Sequence, residues 1–162
     1  MKGKCITIYK DSSLSFKFEL PEGWKHDKQN LVLTFTGPNW SIGHMTELIQ
    51  IQIGTILPQY HDPESRKQFM SEPGAHTTCS KLGNETNVVM LKKPRETEIT
   101  ALHDGVQYSI AHTNDSPTLK AIEKLKETFE FPSIEEALDA IRRSANPQKQ
   151  AIMKILKSRS FM

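Results

Sequence analysis

Two alternating segments on either side of Asp104-Gly105 constrain this chain more than any other feature. Glu98 to His103 and Val106 to Thr113 alternate in character. Asp-Gly suits a two-residue type I′ turn, because both central positions need positive φ. That turn sets a register in which His103 faces Val106, Ala101 faces Tyr108, Ile99 faces Ile110 and Thr97 faces His112. One face then carries Ile99, Ala101, Val106, Tyr108 and Ile110. The other carries Glu98, Thr100, Leu102, Gln107, Ser109 and Ala111. The first reads as the core face of an antiparallel hairpin.

The same period of two recurs earlier. Ile6 and Ile8 alternate with Thr7 and Tyr9, and Phe16, Phe18 and Leu20 with Lys17 and Glu19. Leu31, Leu33 and Phe35 share one side against Val32 and Thr34, and Ile49, Ile51 and Ile53 alternate with Gln50 and Gln52. Such alternation marks strands with one face on a core and favours antiparallel pairing. Pro21-Glu22-Gly23 suits a type I turn, and Gly37-Pro38-Asn39 ends the third strand. A further strand is predicted over Asn87 to Lys92. The pattern breaks between Thr55 and Gly83. There, Asp62 as N-cap and Pro63 at the first helical position predict a short helix to Ser71, stopped by Pro73-Gly74.

The last third is helical. Ser116 is the expected N-cap and Pro117 the start of a helix whose buried face is Leu119, Ile122, Leu125 and Phe129. Ser133 and Glu136 form a capping box ahead of Ile134, Ala137, Leu138 and Ile141. Asn146-Pro147 opens a third helix with Ala151, Ile152, Ile155 and Leu156. The expectation is an α+β fold, a mostly antiparallel sheet covered by helices over residues 1–132, with a C-terminal helical extension over 133–162 packed on that core.

The order of these elements also resembles a known family. A strand ends in Leu20-Pro21-Glu22-Gly23-Trp24; Leu82-Gly83, the Asp104-Gly105 hairpin with Tyr108 and Ile110, and a helix running into Phe129-Glu130-Phe131 follow. From about Ser12 to Phe131 this resembles the PsbP/Mog-type superfamily, which includes the DcrB-like proteins. Glu127-Thr128 stands where those proteins often have a serine before the closing Phe-Glu-Phe. The resemblance implies an α/β/α sandwich, no enzymatic activity, and protein binding as the common thread. Its members include photosystem extrinsic subunits, a Ran-binding nuclear protein and adaptor chaperones for secreted bacterial effectors. The shared motifs are structural, so no site residue transfers with them.

Several chemistries find no support in the residues. His26, His44, His61, His76, His103 and His112 include no HExxH and no pair at i, i+4, and His76-x-x-Cys79 has no second pair to complete a structural zinc. No metal is expected. There is no G-x-S-x-G elbow, no phosphate-binding GxxxxGK[ST] and no GxGxxG after a strand, so no catalytic residue and no cofactor is expected. Cys5 and Cys79 read as free thiols. The longest apolar run, Val88 to Leu91, is far short of the roughly 20 residues of a membrane span. Met1 to Tyr9 lacks the apolar stretch of a secretory leader, which points to a cytoplasmic protein. With 21 Lys and Arg against 19 Asp and Glu, the chain is too balanced to bind nucleic acid through charge alone.

That charge is uneven, however: residues 133–162 carry +3 and residues 1–132 carry −1. Arg142, Arg143, Lys154 and Lys157 in the tail are therefore candidate protein-binding residues. The alternative is a solvated basic face that complements the helix dipoles. Trp40 and Tyr60 lie in loops, where exposed aromatics anchor partners, unless they tuck under and close the core. The functional expectation is a non-enzymatic protein-binding module or adaptor. The alternative is a small-ligand carrier or small enzyme with a pocket on the polar sheet face at Gln50, Gln52, Gln107 and Ser109. A third reading is self-association through a stripe of Ile152, Ile155 and Leu156.

Overall fold

Seven strands form one antiparallel sheet whose centre joins residues far apart in sequence. The computed structural model describes residues 6–29, 32–41, 43 and 46–160; Cys5, Leu31 and His44 lie outside them. In chain order the elements are β1 (Ile6–Lys10), β2 (Lys17–Pro21), β3 (Lys25–Gln29), β4 (Val32–Thr36) and β5 (Leu48–Gly54). There follow α1 (Pro63–Met70), β6 (His76–Leu82), β7 (Glu85–Lys92), β8 (Glu96–His103) and β9 (Val106–Thr113). The chain closes with α2 (Ser116–Thr128), α3 (Ile134–Arg142) and α4 (Lys149–Ser160). The sheet order is β3-β4-β5-β9-β8-β7-β6, and β1 with β2 forms a separate hairpin. The fold class is the α+β arrangement expected from the alternation.

The β8–β9 register is the one the Asp-Gly turn demands, from His103–Val106 out to Thr97–His112. Asp104 and Gly105 take φ of +50° and +79°. β5 then pairs with β9 through Ile51–Ile110 and Gln52–Ser109. Leu33, Phe35, Ile49, Ile51, Ile99, Ala101, Val106, Tyr108 and Ile110 consequently share one buried face.

An aromatic seam roofs that face. Phe129, just past α2, stacks on Phe16 and Phe18 with ring centroids 5.3 and 5.7 Å away. Tyr108 meets Phe16 edge-on at 5.6 Å, and Phe35 meets Phe18 at 5.4 Å. Backbone bonds reinforce the seam: Lys17 and Glu130 exchange N–H···O bonds of 3.1 and 2.8 Å, and Gly83 N donates to Lys126 O at 2.8 Å. Gly83 sits at φ +57°, and a Cβ there would strike the Phe129 carbonyl.

Two expectations for α2 shift. Its N-cap is Asp115, one residue before Ser116, and the Asp115 carboxylate accepts from Thr118 N at 3.2 Å and Thr118 Oγ1 at 2.7 Å. The buried face is Thr118, Ala121, Ile122 and Leu125, while Leu119 is 44 % exposed. The small residues at 118 and 121 let the helix sit close to the sheet. The stripe expected to drive self-association is turned inward: Ile152 and Leu156 are buried with Ala137, Leu138 and Ile141 in the same cluster as Tyr108, and Ile155 is packed against it. A Cβ on Gly105 would lie 2.5 Å from Ile155 Cγ2 and 2.8 Å from Arg159 Nε, so the hairpin tip is also the seat of α4.

Two measurements test this packing. Ile152→Ala is expected to destabilise the chain by about 2–5 kcal/mol, with the helical and sheet signals still melting together in chemical denaturation. Separate transitions would count against docking of α4. The second concerns His112, which is buried and donates from Nδ1 to Thr113 O at 2.8 Å. Burial lowers its pKa below the ordinary 6.5, outweighing that hydrogen bond and Asp115, which raise it. The unfolded chain therefore takes up a proton first as pH falls. Stability should decline as pH drops below about 6.5 and level off beneath the folded pKa. His112→Gln is expected to flatten that part of the pH–stability curve.

Candidate functional site

The other face of the sheet is covered on one side only. On β7 and β8, Val89, Leu91 and Leu102 are buried. On β5, Gln50 and Gln52 are exposed, with Thr34, Thr36, Ser109 and Ala111 half-buried beside them on β4 and β9. The division follows from where α1 lands. Asp62 caps this helix, accepting from Ser65 N at 3.0 Å, and Pro63 opens it, as the sequence predicts. Its inward side chain is Arg66, 1 % exposed.

Arg66 has no carboxylate partner among its hydrogen bonds. Nη1 donates to Tyr60 O at 3.0 Å and to His61 O at 3.3 Å. Nη2 donates to Asn87 O at 3.1 Å, Asn87 Oδ1 at 2.7 Å and Thr100 O at 3.4 Å. Asn87 lies one residue beyond the Val88–Ala101 pair that ends the β7–β8 ladder, so its carbonyl turns to the guanidinium instead of to β8. Burial lowers the Arg66 pKa, opposed by the charges of Asp62, Cys79 and Glu85. Arginine tolerates this because its pKa starts so high that it stays protonated. The clamp fixes α1 over β7 and β8 and goes no further.

Beyond α1 the sheet face is an open groove. Its larger part, about 730 Å³, is lined by Lys25, Asp27, Thr34, Thr36, Trp40 and Gln50 among others. A second part of about 360 Å³ reaches toward α1 and includes Met70, Glu98, Thr100 and Ser109. Val32, Gln50 and Gln52 belong to both. The floor therefore mixes amides and hydroxyls with the apolar side chains of Val32 and Leu48, and Gln107 Nε2 donates to Ser109 Oγ at 2.9 Å alongside.

One rim carries an indole ring. Trp40 is 41 % exposed, on a turn in which its N–H reaches Gly37 O at 3.1 Å. Buried Glu47 holds that turn: its Oε1 accepts from Asn39 N at 3.1 Å, its carbonyl accepts from Gly37 N, and its own N–H donates to Asp115 Oδ1 at 3.0 Å. Tyr60 lies in a 3₁₀ turn, Pro58–Tyr60, with its ring 4.3 Å from that of Phe69 on α1, and neither ring lines the groove. Phe69 is 63 % exposed and Leu57 59 %.

The basic candidates lie elsewhere. Arg142 and Arg143 are exposed at the end of α3, where Arg143 pairs with Asp139, and Lys154 and Lys157 are exposed on α4. Of the candidates, Trp40 alone lines the groove; Tyr60 and the four cations do not. Arg66, Phe69 and Leu57 escape the sequence reading, which marks α1 but not its outward aromatic ring. Among the described residues no three His, Cys, Asp or Glu side chains gather as a metal site. His103 is held by Glu85, Nδ1 to Oε1 2.7 Å, and stacks on Phe131 at 4.1 Å; His61 contacts Ile56 O at 3.2 Å through Nε2. Cys79 is a free, exposed thiol. No helix among the described residues is long and apolar enough to cross a membrane.

No protein-family model matches the chain, and no curated protein matches it in sequence. Solved structures do match in chain path. The solution structure of cyanobacterial PsbP (CyanoP) from Synechocystis sp. PCC 6803 is 10 % identical, covers 82 % of this chain and 95 % of its own, and superposes with a TM-score of 0.48. A crystal structure from Bacteroides thetaiotaomicron VPI-5482 is 16 % identical with a TM-score of 0.46; it too covers 82 % of this chain, which spans only 49 % of that one. These are likenesses of chain path, and nothing about activity follows from them.

Removing the clamp tests the division of the face. Arg66→Ala removes the donor to Tyr60 O and to Asn87 O and Oδ1, at an expected cost of about 3 kcal/mol or more. Hydrogen exchange should accelerate over residues 57–70 far more than over β5 and β9. Uniform acceleration would mean that α1 is not a separately anchored cover.

Proposed function

We propose that this chain is a non-enzymatic binding module that receives a polypeptide segment of a partner protein in the groove beside α1. One observation carries the reading: an uncovered sheet face with amides and hydroxyls along it is bordered by the exposed ring of Trp40 on one side and by Met70 of α1 on the other. Side-chain amides and hydroxyls such as Gln50, Gln52 and Ser109 can both donate to and accept from a peptide main chain. The Trp40 ring supplies the apolar burial that dominates such contacts. Asp27 and Lys25 on one side and Glu98 on the other give the groove mixed charge, which suits a protein better than a nucleic acid. The groove's larger part falls within the ~300–1,000 Å³ typical of small-ligand pockets. It is shallow, however, with Gln50 and Gln52 exposed along its length, and an extended chain fits that shape better. Residues 133–160 serve the core on this reading, as part of the same folding unit.

Site-directed photocrosslinking in cells producing the protein tests the proposal. A photoreactive residue at Gln52 is expected to capture a discrete polypeptide, and the same residue at Glu123, exposed on α2, is not. Trp40→Ala with Met70→Ala should reduce the Gln52 adduct at least tenfold without changing the melting temperature by more than a few degrees. Equal capture at both positions, or none at Gln52, overturns the reading. Protection of Gln50 and Gln52 by a small molecule alone would place the ligand-carrier alternative ahead of it.

A further inference from the structure

Met70 is the last residue of α1 and borders the smaller part of the groove, about 360 Å³. It stands four residues beyond Arg66, on the same side of the helix, so the clamp that fixes α1 also fixes Met70. Ser71 closes the helix behind it, with its N–H reaching Lys67 O at 3.0 Å and its hydroxyl the same oxygen at 2.9 Å. Below Met70 a polar row crosses the sheet: Thr100 on β8 pairs with Ser109 on β9, and Ser109 with Gln52 on β5.

Thr100 begins that row, and its hydroxyl is poorly satisfied. The residue is 7 % exposed, and the one hydrogen bond of its hydroxyl among the described residues goes to Met70 Sδ at 3.8 Å. A thioether is a weak acceptor, and a buried hydroxyl without a good partner costs stability. The sulfur therefore sits between an open hollow and a donor that lacks a proper oxygen. The other methionines among the described residues, Met90 and Met153, pack against the apolar core instead. An oxygen added to either of them would be set against hydrocarbon.

We infer that Met70 is a reversible oxidation site: a peroxide converts its thioether to the sulfoxide, and Thr100 receives the new oxygen. A sulfur lone pair attacks one oxygen of hydrogen peroxide. The S–O bond forms as the O–O bond breaks, sulfur gives up two electrons, and the second oxygen leaves as water. The Thr100 hydroxyl then donates to oxygen in place of sulfur, so the fold accepts the product. The same step turns an apolar wall of the groove polar, and a sulfoxide reductase reverses it with two thiols, which end as a disulfide while the oxygen leaves as water. The oxidation itself is independent of any occupant; its effect on binding rests on the groove reading.

Limited treatment of the full chain with hydrogen peroxide, followed by peptide mass mapping, tests the site. Met70 is expected to gain one oxygen at least about fivefold faster than Met90 or Met153; equal rates, or a slower Met70, overturn it. Thermal melts test the role of Thr100, with Met70→Leu treated alongside to subtract oxidation elsewhere, as at the exposed Cys79 thiol. The treated wild type should melt within a few degrees of the untreated chain, whereas treatment of Thr100→Val should lower its melting temperature clearly further. Equal drops in the two chains would show that Thr100 does not receive the oxygen. In cell extract, photocapture at Gln52 should fall at least tenfold on treatment of the wild type and stay unchanged on treatment of Met70→Leu. Undiminished capture by the oxidised chain overturns the effect on binding. No capture by the untreated chain counts against the groove reading, and the mapping and melts then decide the oxidation site alone.

Discussion

The β1–β2 hairpin shares no strand ladder with the seven-stranded sheet, so side-chain packing must hold it in place, and that packing is aromatic. A two-stranded hairpin is marginal in water. Here Phe16 and Phe18 lie between the ring of Phe129 and the sheet residues Tyr108 and Phe35. Each such ring buries about 150–250 Å², and the offset and edge-on geometries add to the burial. Phe129 is the hinge of this arrangement. It ends α2, fixes the approach of Gly83, and precedes Glu130, whose backbone pairs with Lys17. Without it the hairpin, the helix and the β6–β7 turn would have no common point.

Committing so much apolar surface to one face determines what remains for the other. The seam, α2 and the α3–α4 pair all lie on the roofed side, leaving α1 as the cover of the opposite face. An eight-residue helix is too short to persist alone, and α1 survives because Asp62 caps it and Arg66 reaches through to the sheet. The anchor is local, so the cover is local. The polar half of the face stays open because β3, β4, β5 and β9 present threonine, glutamine and serine there, which need no cover. One-sided solvation is natural for an antiparallel sheet; the uncommon feature is that large apolar side chains border the wet area.

Much of the architecture was legible because it rests on local rules. The β8–β9 register follows from one dipeptide and two alternating segments, and the capping box of α3 from Ser133 and Glu136. The edges were not legible. β3 reads Lys-His-Asp-Lys-Gln and β6 reads His-Thr-Thr-Cys-Ser-Lys-Leu. An edge strand with so little buried surface has no apolar period to display. Leu119 misled because Thr118, bonded to Asp115 and to Thr113 Oγ1 at 3.1 Å, is the residue turned inward; a hydroxyl satisfied by tertiary contacts outranks a leucine. The groove was foreseen as polar residues on one face, Gln50, Gln52, Gln107 and Ser109. Whether a helix would cover them depends on Arg66 finding four backbone carbonyls from two strands and a turn, and no sequence pattern announces that.

The pairing of β5 with β9 has a consequence for how the chain is made. Ile51 cannot meet Ile110 until nearly sixty further residues have been synthesised, as the register itself requires. Before then β3, β4 and β5 are a three-stranded ribbon with Leu33, Phe35, Ile49 and Ile51 unroofed. Topologies dominated by such distant contacts fold slowly, on the order of milliseconds to seconds, and expose sticky surface in the meantime. Because Phe129, Ile152 and Leu156 complete the roof, that face stays uncovered until residue 156 has left the ribosome. A ribosome stalled midway would hold out a nascent sheet with its greasy side bare, open to association with other chains.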